Sequence, residues 1–170
     1  MENKFKNFDS KTPLFSLEGM NTFGRVVDVI DGDTLHVVIP LFDKYYKFIV
    51  RLIGIDTCET NSDNIDVKNK ALQAKYRVIE LLLPNKKINE IMGIPKKQIK
   101  QFLDEYVSIV WIEFGDFDKY GRALANISIK ENSKLKSLST ILFEEKLAYK
   151  YDGDKKPSEE EQLNLLNIRK

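Results

Sequence analysis

Three short runs rich in valine and isoleucine, each bounded by turn residues, place the strongest limit on the fold of this chain. Each run has the length of a β-strand, and none approaches the length of a membrane-spanning helix. The Asp31-Gly32 pair between the first two runs is a strong hairpin signal. We therefore predict three consecutive antiparallel strands, over residues 23–30, 34–39 and 46–53.

The hydrophobic period changes after these strands. Apolar residues recur at helical spacing over residues 67–83, and Pro84 ends the run. The remaining predicted elements are helices over 96–105 and 133–146, strands over 106–114 and 121–129, and a last helix opened by the Ser158–Glu161 capping-box pattern. Five strands with a helix between the third and fourth match an OB-fold Greek-key barrel, mainly β in the α+β class, with about three packed helices. An α+β sandwich would give a similar order.

The length of 170 residues and the composition indicate one globular domain. We predict an irregular N-terminal arm over residues 1–20 and a single domain over 21–170, with a lysine-rich insertion at 84–101. The first twenty residues lack the apolar core of a signal peptide, and one cysteine suits a reducing compartment. These features predict an intracellular, cytoplasmic protein without a membrane partner. A net charge of +1 leaves nucleic-acid binding open.

Polar residues suited to phosphodiester chemistry are concentrated in three segments, Asp31–Thr34, Arg51–Glu59 and Asp118–Arg122. Carboxylates can hold a hard cation or act as a base, and arginines can neutralise a phosphoryl group. Each segment alone is weak evidence, because Asp-Gly pairs and polar strand ends are common for structural reasons. Arg51 is less easily explained, since a charge within an apolar strand is costly on the core face.

Together, these three segments resemble the staphylococcal nuclease (thermonuclease) family in sequence, order and approximate separation. The resemblance extends from about residue 23 to about residue 151. It implies a calcium-dependent, sugar-nonspecific endonuclease that hydrolyses DNA and RNA and leaves 3′-phosphate ends. It also implies that the substrate is single-stranded or unwound, and we expect a monomer.

Carried over residue by residue, the resemblance implies a role for each matched position. Two carboxylates and a backbone carbonyl would hold Ca²⁺, one carboxylate would activate the attacking water, and two arginines would grip the scissile phosphate. The metal-binding carboxylates are those of Asp33 and Asp56, and the carbonyl is that of Thr57. Glu59 is the base, and the two arginines are Arg51 and Arg122. Cys58 stands where the family usually has proline, so the loop that carries the base is less restricted in φ.

Four further residues are candidate substrate contacts. Lys119 and Tyr120 match the family's phosphate-contacting lysine and nucleotide-contacting tyrosine. Tyr149 and Tyr151 would either stack on a base or pack in the core. The rival function is a catalytically silent OB-fold module that binds nucleic acid or protein. Such modules characteristically lose carboxylates or arginines from the site, and this chain retains all five.

Overall fold

The computed structural model describes residues 2–131 and 134–167, and its centre is a closed five-stranded β-barrel. The first three strands are β1 (Asn21–Val29), β2 (Thr34–Leu41) and β3 (Lys44–Leu52), paired antiparallel in that order. Phe42 and Asp43 join β2 to β3 with φ of 50° and 59°, the left-handed geometry of a tight hairpin turn. The predicted three-strand meander is confirmed.

A two-residue strand, β4 (Ile55–Asp56), precedes helix α1 (Ile65–Leu82). The helix begins after Asn64, whose side chain accepts hydrogen bonds from the backbone N–H groups of Asp66 and Val67. The predicted helical repeat is confirmed, because its apolar positions form the buried face. These are Val67, Ala71, Ala74, Val78, Ile79 and Leu82.

The lysine-rich segment after α1 folds into two further helices, the single turn α2 (Ile88–Ile91) and α3 (Lys96–Glu105). Helix α3 has the predicted bounds. Ile91, Ile99 and Leu103 are buried in the main core, so this segment packs on the barrel through its apolar residues. Its lysines remain on the outside.

Strands β5 (Ile109–Phe117) and β6 (Ala123–Glu131) close the barrel. β5 lies antiparallel between β1 and β6, and β6 pairs in parallel with β3. The order around the barrel is β1-β2-β3-β6-β5, as expected for an OB-type fold. β5 begins three residues later than predicted, because residues 106–108 link it to the end of α3.

The remaining elements are β7 (Lys134–Ser137), α4 (Leu138–Glu144), β8 (Tyr149–Lys150) and α5 (Glu159–Asn167). The predicted helix over 133–146 is wrong in its first turn, because residues 134–137 form a strand that pairs antiparallel with β6. Ser133 lies outside the described residues. The predicted Ser158–Glu161 capping box is present before α5. With α2, the described part has five α-helices instead of about three, and a short 3-10 helix over Glu2–Lys4.

Inward-facing side chains fill the barrel. Gly24 is required on β1, because a Cβ there would lie 2.6 Å from Cδ1 of Ile112 and 2.8 Å from Cγ1 of Val37. A second, smaller apolar cluster lies beside the barrel, and its members are Cys58, Val67, Ala71, Tyr149 and Leu166. Among the residues that the structure describes, no helix is both long enough and apolar enough to cross a bilayer.

Candidate functional site

Asp33, directly before β2, is the centre of a buried polar network. Its carboxylate accepts hydrogen bonds from Thr34 Oγ1 at 2.8 Å and from the backbone N–H of Thr57 at 3.2 Å. The Arg51 guanidinium lies between two carboxylates, with Nη1 2.9 Å from Oδ2 of Asp33 and Nη2 2.7 Å from Oδ1 of Asp56. Because both aspartates are only 3% exposed, this carboxylate pair is largely removed from water.

Strand register and one glycine bring these groups together. Thr34 pairs with Arg51 across β2 and β3, so Asp33 lies next to the arginine. Gly54 has φ of +78°, a left-handed conformation that lets the chain turn back between β3 and β4. This turn returns Asp56 to Arg51 from the other side.

Asp56 has two further partners, both from the part of the chain that follows α4. The hydroxyl of Tyr149 donates a hydrogen bond to Oδ2 of Asp56 at 2.8 Å. The Lys156 ammonium lies 3.2 Å from the same oxygen and also pairs with the carboxylate of Glu59. The antiparallel pairing of β4 with β8 sets Tyr149 opposite Asp56. The site thus contains an ammonium group that the sequence patterns did not indicate.

The electrostatics of the aspartate pair follow from burial and crowding. Burial raises the pKa of Asp33 to about 6, the neighbouring Arg51 offsets part of this rise, and Asp56 adds to it. Burial also opposes ionisation of Asp56, but hydrogen bonds with Asp33 and Arg51 and the charge of Lys156 outweigh it and lower its pKa. The two carboxyl groups therefore titrate together: the first proton leaves readily, and the second leaves only near pH 6.

The segment from Asp118 to Arg122 forms a second wall of the site. Oδ1 of Asp118 accepts hydrogen bonds from the backbone N–H groups of Tyr120 and Arg122, both at 2.9 Å, and Oδ2 accepts one from Nε of Arg122 at 2.7 Å. Gly121 completes the turn with φ of +79°. Asp118 therefore fixes the turn and orients Arg122. The ring of Tyr120 is 72% exposed, and its centroid lies 5.6 Å from Cζ of Arg122 and 5.1 Å from Nζ of Lys119.

Two adjoining cavities meet at the arginines. A small polar pocket of about 60 Å³ contains the carboxylates of Asp33, Asp56 and Glu59. A larger groove of about 480 Å³ is lined by Tyr120 and Tyr151 among others. Two residues, Arg51 and Arg122, line both cavities. The two arginines therefore form the border between the cavities.

The two candidate stacking tyrosines differ. Tyr151 lines the groove, and its ring centroid lies 5.7 Å from Cζ of Arg51. Tyr149 is 2% exposed, so its ring offers no face for a base, and the proposed stacking role is wrong for this arrangement. It belongs to the small apolar cluster, where its hydroxyl orients Asp56.

Cys58 does not behave as an open loop residue. It is 3% exposed within the cluster beneath α1 and α5, and burial raises the pKa of its thiol to about 11. The thiol is therefore a packing group that stays protonated at neutral pH. Asp31, the other acidic residue of the first motif, accepts a hydrogen bond from Oγ1 of Thr60 at 3.0 Å and ties two loops together.

The donor set is suitable for a hard divalent cation, since the carboxylates of Asp33 and Asp56 and the carbonyl of Thr57 all offer oxygen. In the arrangement described, Arg51 and Lys156 compensate the charges of the two carboxylates. No group of three or more histidine, cysteine or acidic side chains placed to hold a metal occurs within residues 2–131 and 134–167. A bound cation would thus need water or phosphate oxygens to complete its coordination.

The protein is thus an OB-type barrel with a small pocket that contains a buried carboxylate pair and is bordered by two arginines. The chain belongs to the family of staphylococcal nuclease homologues, whose model matches residues 49–170. This span includes Arg51, the Asp56–Glu59 loop and the Asp118–Arg122 turn, and it begins after the turn that supplies Asp33. No curated protein gave a match to the chain.

Proposed function

We propose that the protein is a calcium-dependent, sugar-nonspecific endonuclease that hydrolyses phosphodiester bonds of DNA and RNA. The observation that carries this proposal is the pair Arg51 and Arg122, which line both the carboxylate pocket and the larger groove. Two arginines that border both a cation-compatible pocket and a nucleotide-sized groove suit a phosphodiester group. Membership of the nuclease family supports the same reaction.

The metal would be held by Asp33 and Asp56, together with the backbone carbonyl of Thr57. When bound, Ca²⁺ would act as a Lewis acid, and its positive charge would stabilise the pentacoordinate transition state. The hydrogen bonds from Thr34 to Asp33 and from Tyr149 to Asp56 keep the two carboxylates oriented for this purpose.

Glu59 is the proposed general base. Its side chain lines the polar pocket and is 54% exposed, so it can reach a water molecule at the pocket mouth. The water would lose a proton to Glu59 and attack phosphorus in line, the bond from phosphorus to the 5′ oxygen would break, and the departing 5′ oxygen would take up a proton from solvent. The product would keep a 3′-phosphate, while Arg51 and Arg122 stabilise the additional negative charge of the transition state.

The larger groove is the proposed binding site for the nucleotide next to the scissile bond. Tyr120 and Tyr151 present aromatic surface on it, and Lys119 contributes a cation. Aromatic rings can stack only on bases that have left the duplex, which supports a preference for single-stranded or unwound substrate. We expect a monomer to be active, because all the proposed groups come from one chain.

The Lys156 contact favours a second candidate function. An ammonium bound to both Asp56 and Glu59 neutralises the proposed ligand and base, as expected for a catalytically silent domain that only binds nucleic acid. Degradation of denatured DNA and of RNA, in millimolar calcium and in EDTA, separates the two functions. We expect cleavage of both substrates with calcium and none with EDTA. Intact substrates in calcium would exclude the enzyme.

A matched pair of variants tests the base. Glu59→Gln removes the proton acceptor with little change in shape and should slow cleavage about 10²–10⁴-fold. Glu18→Gln changes an exposed glutamate that does not line the pocket, and it should retain the wild-type rate. Equal rates for Glu59→Gln and wild type would remove Glu59 from this role.

A further inference from the structure

The outer face of β3 leads away from the proposed catalytic pocket. Side chains alternate along a strand, so Lys47, Ile49 and Arg51 share one face, while Val50 is in the barrel interior. Four residues at about 3.3 Å each separate Arg51 from Lys47 by about 13 Å. His36 pairs with Ile49 on the neighbouring strand, next to this row.

Helix α3 brings more cations to the same face. Lys96 and Lys100 lie one turn apart, and their Nζ atoms are 3.8 Å and 3.0 Å from Oδ2 of Asp28 on β1. His36, opposite Asp28, places Nδ1 3.8 Å from the same oxygen. Asp28 is buried, but the side chains of Lys96 and Lys100 are 57% and 47% exposed. One carboxylate thus serves two accessible ammonium groups.

Lys75 on α1 is a half-buried lysine on which the charges of Asp31 and Lys96 act. Burial lowers the pKa of Lys75, and the charge of Lys96 lowers it further, whereas Asp31 at the pocket opposes the change. Burial likewise lowers the pKa of His36, with contributions from Lys47, Lys100 and Lys96. Asp28 opposes both shifts, in agreement with the short distances from its carboxylate to Lys96, Lys100 and His36.

We propose that this surface, the basic track formed by Lys47, Lys96 and Lys100, binds the phosphate backbone of a nucleic-acid strand that continues beyond the catalytic pocket. The proposal rests on the proposed function in one respect, since the strand is taken to begin in the catalytic pocket. Charges along one nucleic-acid strand are spaced by about 3.4 Å or more, so the distance of about 13 Å from Arg51 to Lys47 spans at most about four phosphate spacings. Phosphates would also relieve the repulsion among lysines that share one buried aspartate.

Binding of fluorescent single-stranded oligonucleotides in EDTA tests the track without cleavage. Lys47→Gln/Lys96→Gln removes two exposed charges and leaves Lys100 paired with Asp28. Its matched control, Lys130→Gln/Lys134→Gln, removes two exposed charges from β6 and β7. Thermal unfolding followed by circular dichroism checks that both variants remain folded.

For a twelve-nucleotide strand, the track variant should bind about 10-fold more weakly at low salt, and the slope of log affinity against log salt should fall by about 1.4. Affinity for a dinucleotide should stay within about twofold, because a dinucleotide is too short to leave the pocket and reach the track. The control should behave as wild type.

The proposal is wrong if the track variant binds the twelve-nucleotide strand as wild type does, if the control weakens equally, or if wild type does not bind that strand. Loss of dinucleotide affinity to the same extent would also overturn it. A protein that shows the expected length and salt dependence but cleaves neither DNA nor RNA would contradict the proposed enzyme and support the track. The two failures are therefore distinguishable.

Discussion

Removal of the Lys156 charge should strengthen calcium binding. Its ammonium contacts Oδ2 of Asp56 at 3.2 Å and also pairs with Glu59, so it partly neutralises the proposed ligand and base. Lys156→Met keeps most of the aliphatic stem and removes the charge. A divalent cation at Asp56 would then no longer be repelled by a neighbouring ammonium group.

The size of the effect follows from distance and exposure. Two unit charges about 4 Å apart interact by about 4 kcal/mol at the effective dielectric constant of a protein surface. The Lys156 side chain is 33% exposed and can swing into solvent, so screening and rearrangement reduce this figure. About 1–2 kcal/mol remains, which corresponds to a calcium dissociation constant about 5- to 30-fold lower.

Isothermal titration calorimetry of wild type and Lys156→Met with calcium chloride measures this difference directly. Lys155→Met is the matched control, because it removes a neighbouring exposed lysine that has no contact with Asp56 or Glu59 in the described structure. An affinity that is unchanged or weaker in folded Lys156→Met would refute the competition between ammonium and metal. Absence of calcium binding in both proteins would refute the metal site itself.

Three further changes test the surroundings of the aspartate pair. Tyr149→Phe removes a buried hydrogen bond to Asp56 and should lower the free energy of unfolding by about 1.5–3 kcal/mol in urea titrations; an unchanged value would contradict the orienting role. Gly32→Ala should cost about 1–3 kcal/mol by the same measurement, because its Cβ would lie 2.7 Å from Cβ of Ala74. Since the pKa of Asp33 is raised from 3.8 to about 6, the folded state retains a proton that the unfolded state loses, and stability should fall as pH rises through this window. Asp33→Asn should flatten that decrease, and an equal decrease in the variant would exclude Asp33 as its source.

The local part of the fold could be predicted from the sequence, because strands, turns and helix ends depend on near neighbours. The turn at Asp31-Gly32, the helical repeat after residue 65 and the Ser158 cap are of this kind. Residues 134–137 were predicted as helix because Leu135 and Leu138 lie at helical spacing. They form a strand instead, since the edge of β6 provides backbone partners that no local pattern reveals.

The candidate site divides in the same way. The three motifs indicated the residues that the structure gathers from the turn before β2, from β3 with the loop after it, and from the turn before β6. The sequence left both stacking and core packing open for Tyr149, and the pairing of β8 with β4 decides for packing. The contact of Lys156 with Asp56 could not be inferred, because it joins residues far apart in the chain. Lys156 itself lies in an ordinary stretch of lysines before a proline, with no spacing that relates it to Asp56.

The pairing of β4 with β8 also has a consequence for biosynthesis. Asp56 receives its orienting hydroxyl from residue 149 and its ammonium partner from residue 156, and β3 finds its parallel neighbour only when β6 has been made. A growing chain emerges from the ribosome in order from the N-terminus, so its motifs around residues 33 and 56 appear long before the groups that organise them. The nascent chain therefore cannot assemble this centre until residues 149–156 have been made, so the order of the strands separates synthesis of the motifs from formation of the site.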